Sequence, residues 1–145
     1  MRLAMILAAI LLSSAAFAAD DGLYRAFGEK AGLVKLVDDT TDRWVADERI
    51  KDTFDNINLV RFKALLVDQL CELLGGPCQY KGRNMYLSHK GLHLDEAEFD
   101  ALAEDLQVSM DKLDVPQSAQ FALMAMLAPM EHDIVTRHRF DAESK

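Results

Sequence analysis

Apolar residues along this chain recur at helical rather than strand spacing. Leu33, Val37, Thr41 and Trp44 share one stripe, with Leu36 and Val45 beside it, which predicts a helix over about 30–46. Thr40 and Thr41 put two hydroxyls on or beside that apolar face. Leu59, Phe62, Leu66, Leu70 and Leu73 repeat at threes and fours behind Asn58, a good N-cap, and Leu65 widens the stripe. Gly75-Gly76-Pro77 should end that helix, since proline cannot continue it. Asp95 is placed to cap a third long helix carrying Phe99, Leu102, Leu106, Met110 and Leu113. Asp114-Val115-Pro116 breaks it, with Pro116 suited to the first turn of a last helix. That helix carries Leu123, Leu127, Met130 and Ile134 on one face and Phe121, Met124 and Ala128 on another. Much of its circumference should therefore be buried, with a kink at Pro129. A short helix at 22–27 and the apolar turn "MYLSH" before Gly91 complete the set. No run alternates in the Val-, Ile- and Thr-rich manner of a strand, so the expected class is all-α.

Length and composition make this one domain: 145 residues, half of them hydrophobic. The first eighteen residues stand apart. Arg2 precedes an unbroken apolar run from Leu3 to Leu12, and Ala16-Phe17-Ala18 supplies the small residues of a cleavage site. This reads as a secretory signal peptide over 1–18, followed by the domain over 19–138 and a polar tail over 139–145. The protein is then expected to be periplasmic or secreted, with no membrane span once the signal is removed. The formal net charge is −8, and loss of Arg2 makes the mature chain one unit more negative. Such a domain repels phosphate backbones, and its basic residues form no cluster, which argues against nucleic acid as a partner. In an oxidising compartment Cys71 and Cys78, seven residues apart around a probable turn, are a candidate disulfide; the spacing alone leaves both states open.

Four histidines are the main candidate chemistry. His89 and His93 are four apart, but Gly91 lies between them and a helix boundary follows, so a joint metal site is disfavoured. His132 and His138 fall on the polar side of the last helix or in the tail. His89 sits in a short apolar turn with Met85 and Leu87, opposite the bulky stripe of the helix after Asn58, which is nearly free of polar atoms. One imidazole facing a wide apolar slot is how an all-α protein holds a haem; a core histidine bonded to a backbone carbonyl has the same signature.

From Gly22 to about Val135 the chain resembles the group I truncated haemoglobins. "LYRAFG" opens the domain, and "LVKLVDDTTDRWVADERI" is similar to the family's second helix and its exit. "RFKALLVDQLCELLGGPCQYKG" resembles the distal helix and the loop after it. "MYLSHKGLHLDEAEFDAL" resembles the proximal segment, and "LDVPQSA" stands where the family has Gly-Val-Pro. The resemblance implies a 2-on-2 helical sandwich around haem b, with His89 as the iron ligand through Nε2 and its Nδ1 donating to a nearby oxygen. It implies that Phe54, Phe62, Leu66, Met85, Leu87 and Phe99 line the haem. Lys63 would reach toward a propionate and Tyr80 would sit near that edge, while His93 faces solvent.

Two departures from the family bear on function. Where the family has a tyrosine and a glutamine that hydrogen-bond bound dioxygen, this chain has Thr41 and Leu66. Losing most of a hydrogen bond worth roughly 1.5–3 kcal/mol should speed oxygen release about tenfold to a hundredfold. The second departure is Glu29, where the family has the second glycine of a Gly-Gly pair, which affects the first turn. The resemblance implies reversible binding of a diatomic gas (O2, NO or CO), with NO and CO favoured, at five-coordinate ferrous iron kept reduced by an electron donor. A haem enzyme, oxidising NO or acting like a peroxidase, is the rival reading; a globin fold that has lost haem and serves as a sensing or binding module is the third.

Overall fold

The helix α2 (Glu29–Trp44) is the element on which the others are built. It buries Leu33, Leu36, Val37, Thr40, Thr41 and Trp44 at alternating spacings of three and one. That width of apolar face lets it pack against α3 (Leu59–Leu73) and α5 (Glu96–Lys112) together. The computed structural model describes residues 21–136. The expected signal peptide, the polar tail and His138 lie outside the described residues. The remaining helices are α1 (Gly22–Ala26), α4 (Met85–His89), α6 (Gln117–Leu127) and α7 (Glu131–Ile134), with 3₁₀ turns at Lys51–Phe54 and Ala128–Met130. Among the described residues there is no strand. The α2–α3 pair lies against α5 and α6, and α4 packs on α7 at one end, which is the expected all-α, 2-on-2 arrangement.

Helix boundaries follow local chemistry. Asn58 Oδ1 accepts the Arg61 N–H at 2.9 Å, and Asn84 Oδ1 accepts that of Leu87 at 2.8 Å. Asp95 and Glu98 form a reciprocal capping box at the start of α5. The α1–α2 turn holds despite the missing glycine: Gly28 has φ +76° and Glu29 itself adopts φ +57°. Close packing there depends on Gly32, where a Cβ would lie 1.8 Å from the Phe27 carbonyl oxygen.

The last helix departs from expectation. Pro129 does more than kink it: the chain passes through a 3₁₀ turn and restarts as α7, because proline removes one helical donor and crowds the preceding turn. Only Leu123 and the small Ala119 and Gln120 of α6 are fully buried. Phe121 is 62 % exposed and Ala128 is exposed, so of the expected second face only Met124 packs on the core. The α6 helix touches the core along one stripe, as a surface helix does.

Cys71 and Cys78 form a disulfide with a Cα separation of 5.7 Å. It clips the end of α3 to the loop that leads into α4. The bond is shielded by α1: a Cβ at Gly76 would come within 2.7 Å of both Cys71 Sγ and the Tyr24 ring.

Candidate functional site

The site lies between α3 and α4, and its two sides differ in kind. On the α3 side, Trp44 stacks on Phe54 with ring centroids 5.8 Å apart and meets Phe62 edge-on at 6.2 Å. Phe54 and Phe62 close the triangle at 5.8 Å. The indole N–H of Trp44 donates to the Leu102 carbonyl of α5 at 3.1 Å, which fixes the wall to the scaffold. Phe54, Phe62 and Leu66 are partly buried and pack on the core from this side. Met85, Leu87 and Phe99 do not join that cluster; Met85 and Phe99 are partly buried and Leu87 is 51 % exposed. Phe54, Phe62, Leu66, Met85 and Phe99 thus leave half-covered apolar surface on this side of the molecule.

His89 closes α4. Its Nδ1 lies 2.8 Å from the Met85 carbonyl oxygen. A carbonyl can only accept, so Nδ1 carries the proton and donates, and Nε2 keeps its lone pair. That is the tautomer a metal-ligating histidine needs, with the orienting bond already made. His93, four residues on, adopts φ +55° and is exposed, as is His132 on α7.

Thr41 is fully buried, and its Oγ1 has no hydrogen-bond partner among the described residues; the same holds for Thr40. A buried unpaired hydroxyl costs about 1–3 kcal/mol. Thr41 lies on the stripe between Val37 and Trp44, directly behind the aromatic wall. Half-covered apolar side chains and an imidazole whose Nδ1 is already committed are a donor set that suits a haem.

The polar candidates are placed as follows. Tyr80 donates its hydroxyl to the Arg83 carbonyl at 2.8 Å, across Gly82, where a Cβ would stand 2.2 Å from that hydroxyl. Lys63 pairs with Asp38 at 3.1 Å and Asp42 at 3.2 Å. Burial opposes its charge, but the hydrogen bonds it donates to both carboxylates outweigh this and raise its pKa. Behind the site, α2 and α5 are tied by Asp39, which accepts from Ser109 Oγ at 2.9 Å, from Arg43 Nε at 3.0 Å and from Lys112. Burial works against ionisation of Asp39, yet the bonds from Lys112, Ser109 and Arg43 prevail and hold its pKa at about 2.

One residue of the site escaped the sequence pattern. Gln69 is partly buried, and its Nε2 lies 3.5 Å from Met85 Sδ. It continues the stripe Phe62, Leu66 and Leu73 at spacings of four, three and four. Reading that stripe as apolar through Leu70 hid it; the 62–66–69–73 register would have found it.

Residues 22–136 match the sequence profile of the bacterial-like globins. The chain is 36 % identical over 93 residues to the group 1 truncated haemoglobin of Tetrahymena thermophila, covering 64 % of this chain and 77 % of that one. The structure of the Tetrahymena pyriformis truncated haemoglobin in its Fe(III) form superposes with a TM-score of 0.75, at 30 % identity, over 78 % of this chain and 97 % of that one. The 2/2 haemoglobin of Synechococcus sp. PCC 7002, in the cyanomet state with covalently attached haem, gives a TM-score of 0.74 at 26 % identity, over 79 % of this chain and 98 % of that one.

Proposed function

The chain belongs to the bacterial-like globins, among the group 1 truncated haemoglobins, and from that premise we propose that it binds haem b and reversibly takes up a diatomic gas at iron held by His89. The observation that carries this is the His89 imidazole, whose Nδ1 is committed to the Met85 carbonyl, which leaves Nε2 for a metal; Phe54, Phe62, Leu66, Met85, Leu87 and Phe99 are the residues that would line the haem. The haem, when bound, supplies the open iron position on which a gas can sit. The protein's part is to bind and orient it. The apolar side chains exclude water, and the Met85 carbonyl keeps the imidazole in the ligating tautomer and orients it. Thr41, like its neighbour Thr40, carries an unpaired buried hydroxyl, and it would be the polar group on the distal side. Leu66 adds no donor, so O2 is held less firmly than NO or CO, which depend less on a polar neighbour. Lys63 would exchange Asp38 and Asp42 for a propionate to serve at the haem edge, and Tyr80 lies in the loop on that side.

The distal candidates are a hydroxyl and an aliphatic chain, neither an acid nor a base of the kind peroxidase chemistry uses. Carriage or sensing of a gas therefore suits the site better than turnover. The Cys71–Cys78 disulfide supports an oxidising compartment, periplasmic or extracellular, in line with the leader over 1–18.

The test is the absorption and resonance Raman spectrum of the ferrous protein purified from the periplasm. A Soret band with five-coordinate iron and an iron–histidine vibration is expected. His89→Ala should lose that vibration and most of its haem. Retention of both in the variant would remove His89 from the iron.

A further inference from the structure

The helix α4 that carries His89 is attached to its surroundings by few directed contacts. Its N-cap comes from Asn84, and Tyr80 and Ser88 both donate to the Arg83 carbonyl, so these bonds stay within α4 and its own loop. Backbone packing of α4 is on α7 rather than on α3. The side-chain hydrogen bond that reaches from α3 to α4 is Gln69 Nε2 to Met85 Sδ, at 3.5 Å. Met85 is also the residue whose carbonyl oxygen accepts from His89 Nδ1 at 2.8 Å. One residue thus receives the distal helix through its side chain and orients the imidazole through its backbone.

We infer that Gln69 is a positioning residue for the imidazole of His89, acting through Met85. A change in where the Gln69 amide holds the Met85 thioether moves the first residue of α4, and with it the acceptor that sets the orientation of His89. A thioether is a weak acceptor, so the influence is a tuning of the ligand rather than a condition for holding it. It also links α3 to α4, so a displacement of α3 would be felt at His89 through this hydrogen bond. The inference rests on the haem reading of His89 given above.

The experiment uses the full ferrous protein with its haem, and carbon monoxide as probe. Gln69→Glu keeps the shape of the side chain but, when ionised, loses the N–H donor; Gln69→Leu removes all polarity, and Met85→Leu removes the sulfur while leaving the carbonyl. The iron–histidine vibration should shift in the same direction in all three. In the Gln69→Leu/Met85→Leu double variant it should move no further than in either single variant, since both break one bond. The C–O stretch of the carbon monoxide adduct, which reports distal polarity, should stay in place in Gln69→Glu. An unmoved iron–histidine vibration overturns the inference, as do additive shifts in the double variant. A shift of the C–O stretch alone also overturns it, because Gln69 would then act on the gas and not on His89. Wild-type protein without haem would bring down the haem reading itself, a result distinct from haem present with His89 unaffected by Gln69.

Discussion

The two faces of α3 are equally apolar in sequence and unequal in the folded protein. Toward α2, Val67, Leu70, Cys71 and Leu74 join Leu33, Leu36 and Val37 in the buried core. Toward α4, Phe62 and Leu66 stop at partial burial, and the opposite lip of Met85, Leu87 and Phe99 stands off the core. This half-covered apolar surface, continuous in sequence with a fully covered core, is the one that the proposed haem would cover. The contrast teaches that a cofactor slot is recognised by large apolar side chains left half-covered next to a fully covered core.

That contrast can be broken by substitutions of the same kind on the two faces. Leu33→Ala, in the closed region, should cost about 3–4 kcal/mol of stability whether haem is present or removed, because the cavity lies wholly among protein atoms. Leu66→Ala should cost far less in the haem-free protein, since the side chain is only partly covered, and should speed haem loss when haem is present. Urea unfolding of both variants, with and without haem, measures this. Equal costs in the haem-free proteins would mean that the slot is closed in solution. Next in size is the disulfide: Cys71→Ala/Cys78→Ala should cost about 2–3 kcal/mol, the chain-entropy value for so short a loop. The same unfolding experiment reads it, and it should also loosen haem, because the loop joins α3 to α4.

The closed region was legible in the sequence and the slot only in part. Helical spacing with the caps at Asn58 and Asp95 placed α2, α3 and α5 to within a residue or two, because packing and capping point to the same boundaries there. The end of the chain was less legible. Leu127, Met130 and Ile134 keep a helical register through Pro129, but register cannot show that proline turns a kink into a break. Phe121 reads as core and lies exposed, since periodicity does not reveal on how many sides a helix has neighbours. His89 could be singled out by its apolar turn, and an oxygen partner for its Nδ1 was expected from the family resemblance. Gln69 was missed because one amide in an apolar stripe looks like a solvent edge until its partner across the slot is seen.

The α2–α5 tie sharpens the comparison from the polar side. Asp39 has a folded pKa of about 2, below the usual carboxylate value of 3.8. Its stabilisation is therefore present above the unfolded pKa and is lost as pH falls through about 2. Asp39→Asn should cost about 1–2 kcal/mol at neutral pH, discounted for partial exposure, and the gap from wild type should close as the solution approaches pH 2. Chemical denaturation at several pH values measures it. A gap that stays constant down to pH 2 would show that the hydrogen bonds to Ser109 and Arg43 act without the charge.

The smallest expected effect is a gain. Glu29 holds φ +57° where a glycine would rest without strain, and it opens α2, the helix that the closed region is built on. Non-glycine residues in that region cost about 1 kcal/mol or more, and persist where surrounding packing over-determines the turn. The over-determining contacts are close at hand: Gly32 seats against the Phe27 carbonyl, and Phe27 is buried. Glycine also enlarges the freedom of the unfolded chain, which offsets part of the relief. Glu29→Gly should therefore raise stability by no more than about 1 kcal/mol, a few degrees in Tm, with the haem spectrum and the rate of haem loss unchanged. If haem retention changes along with stability, the first turn reaches the slot, and the closed and open faces of α3 are not independent.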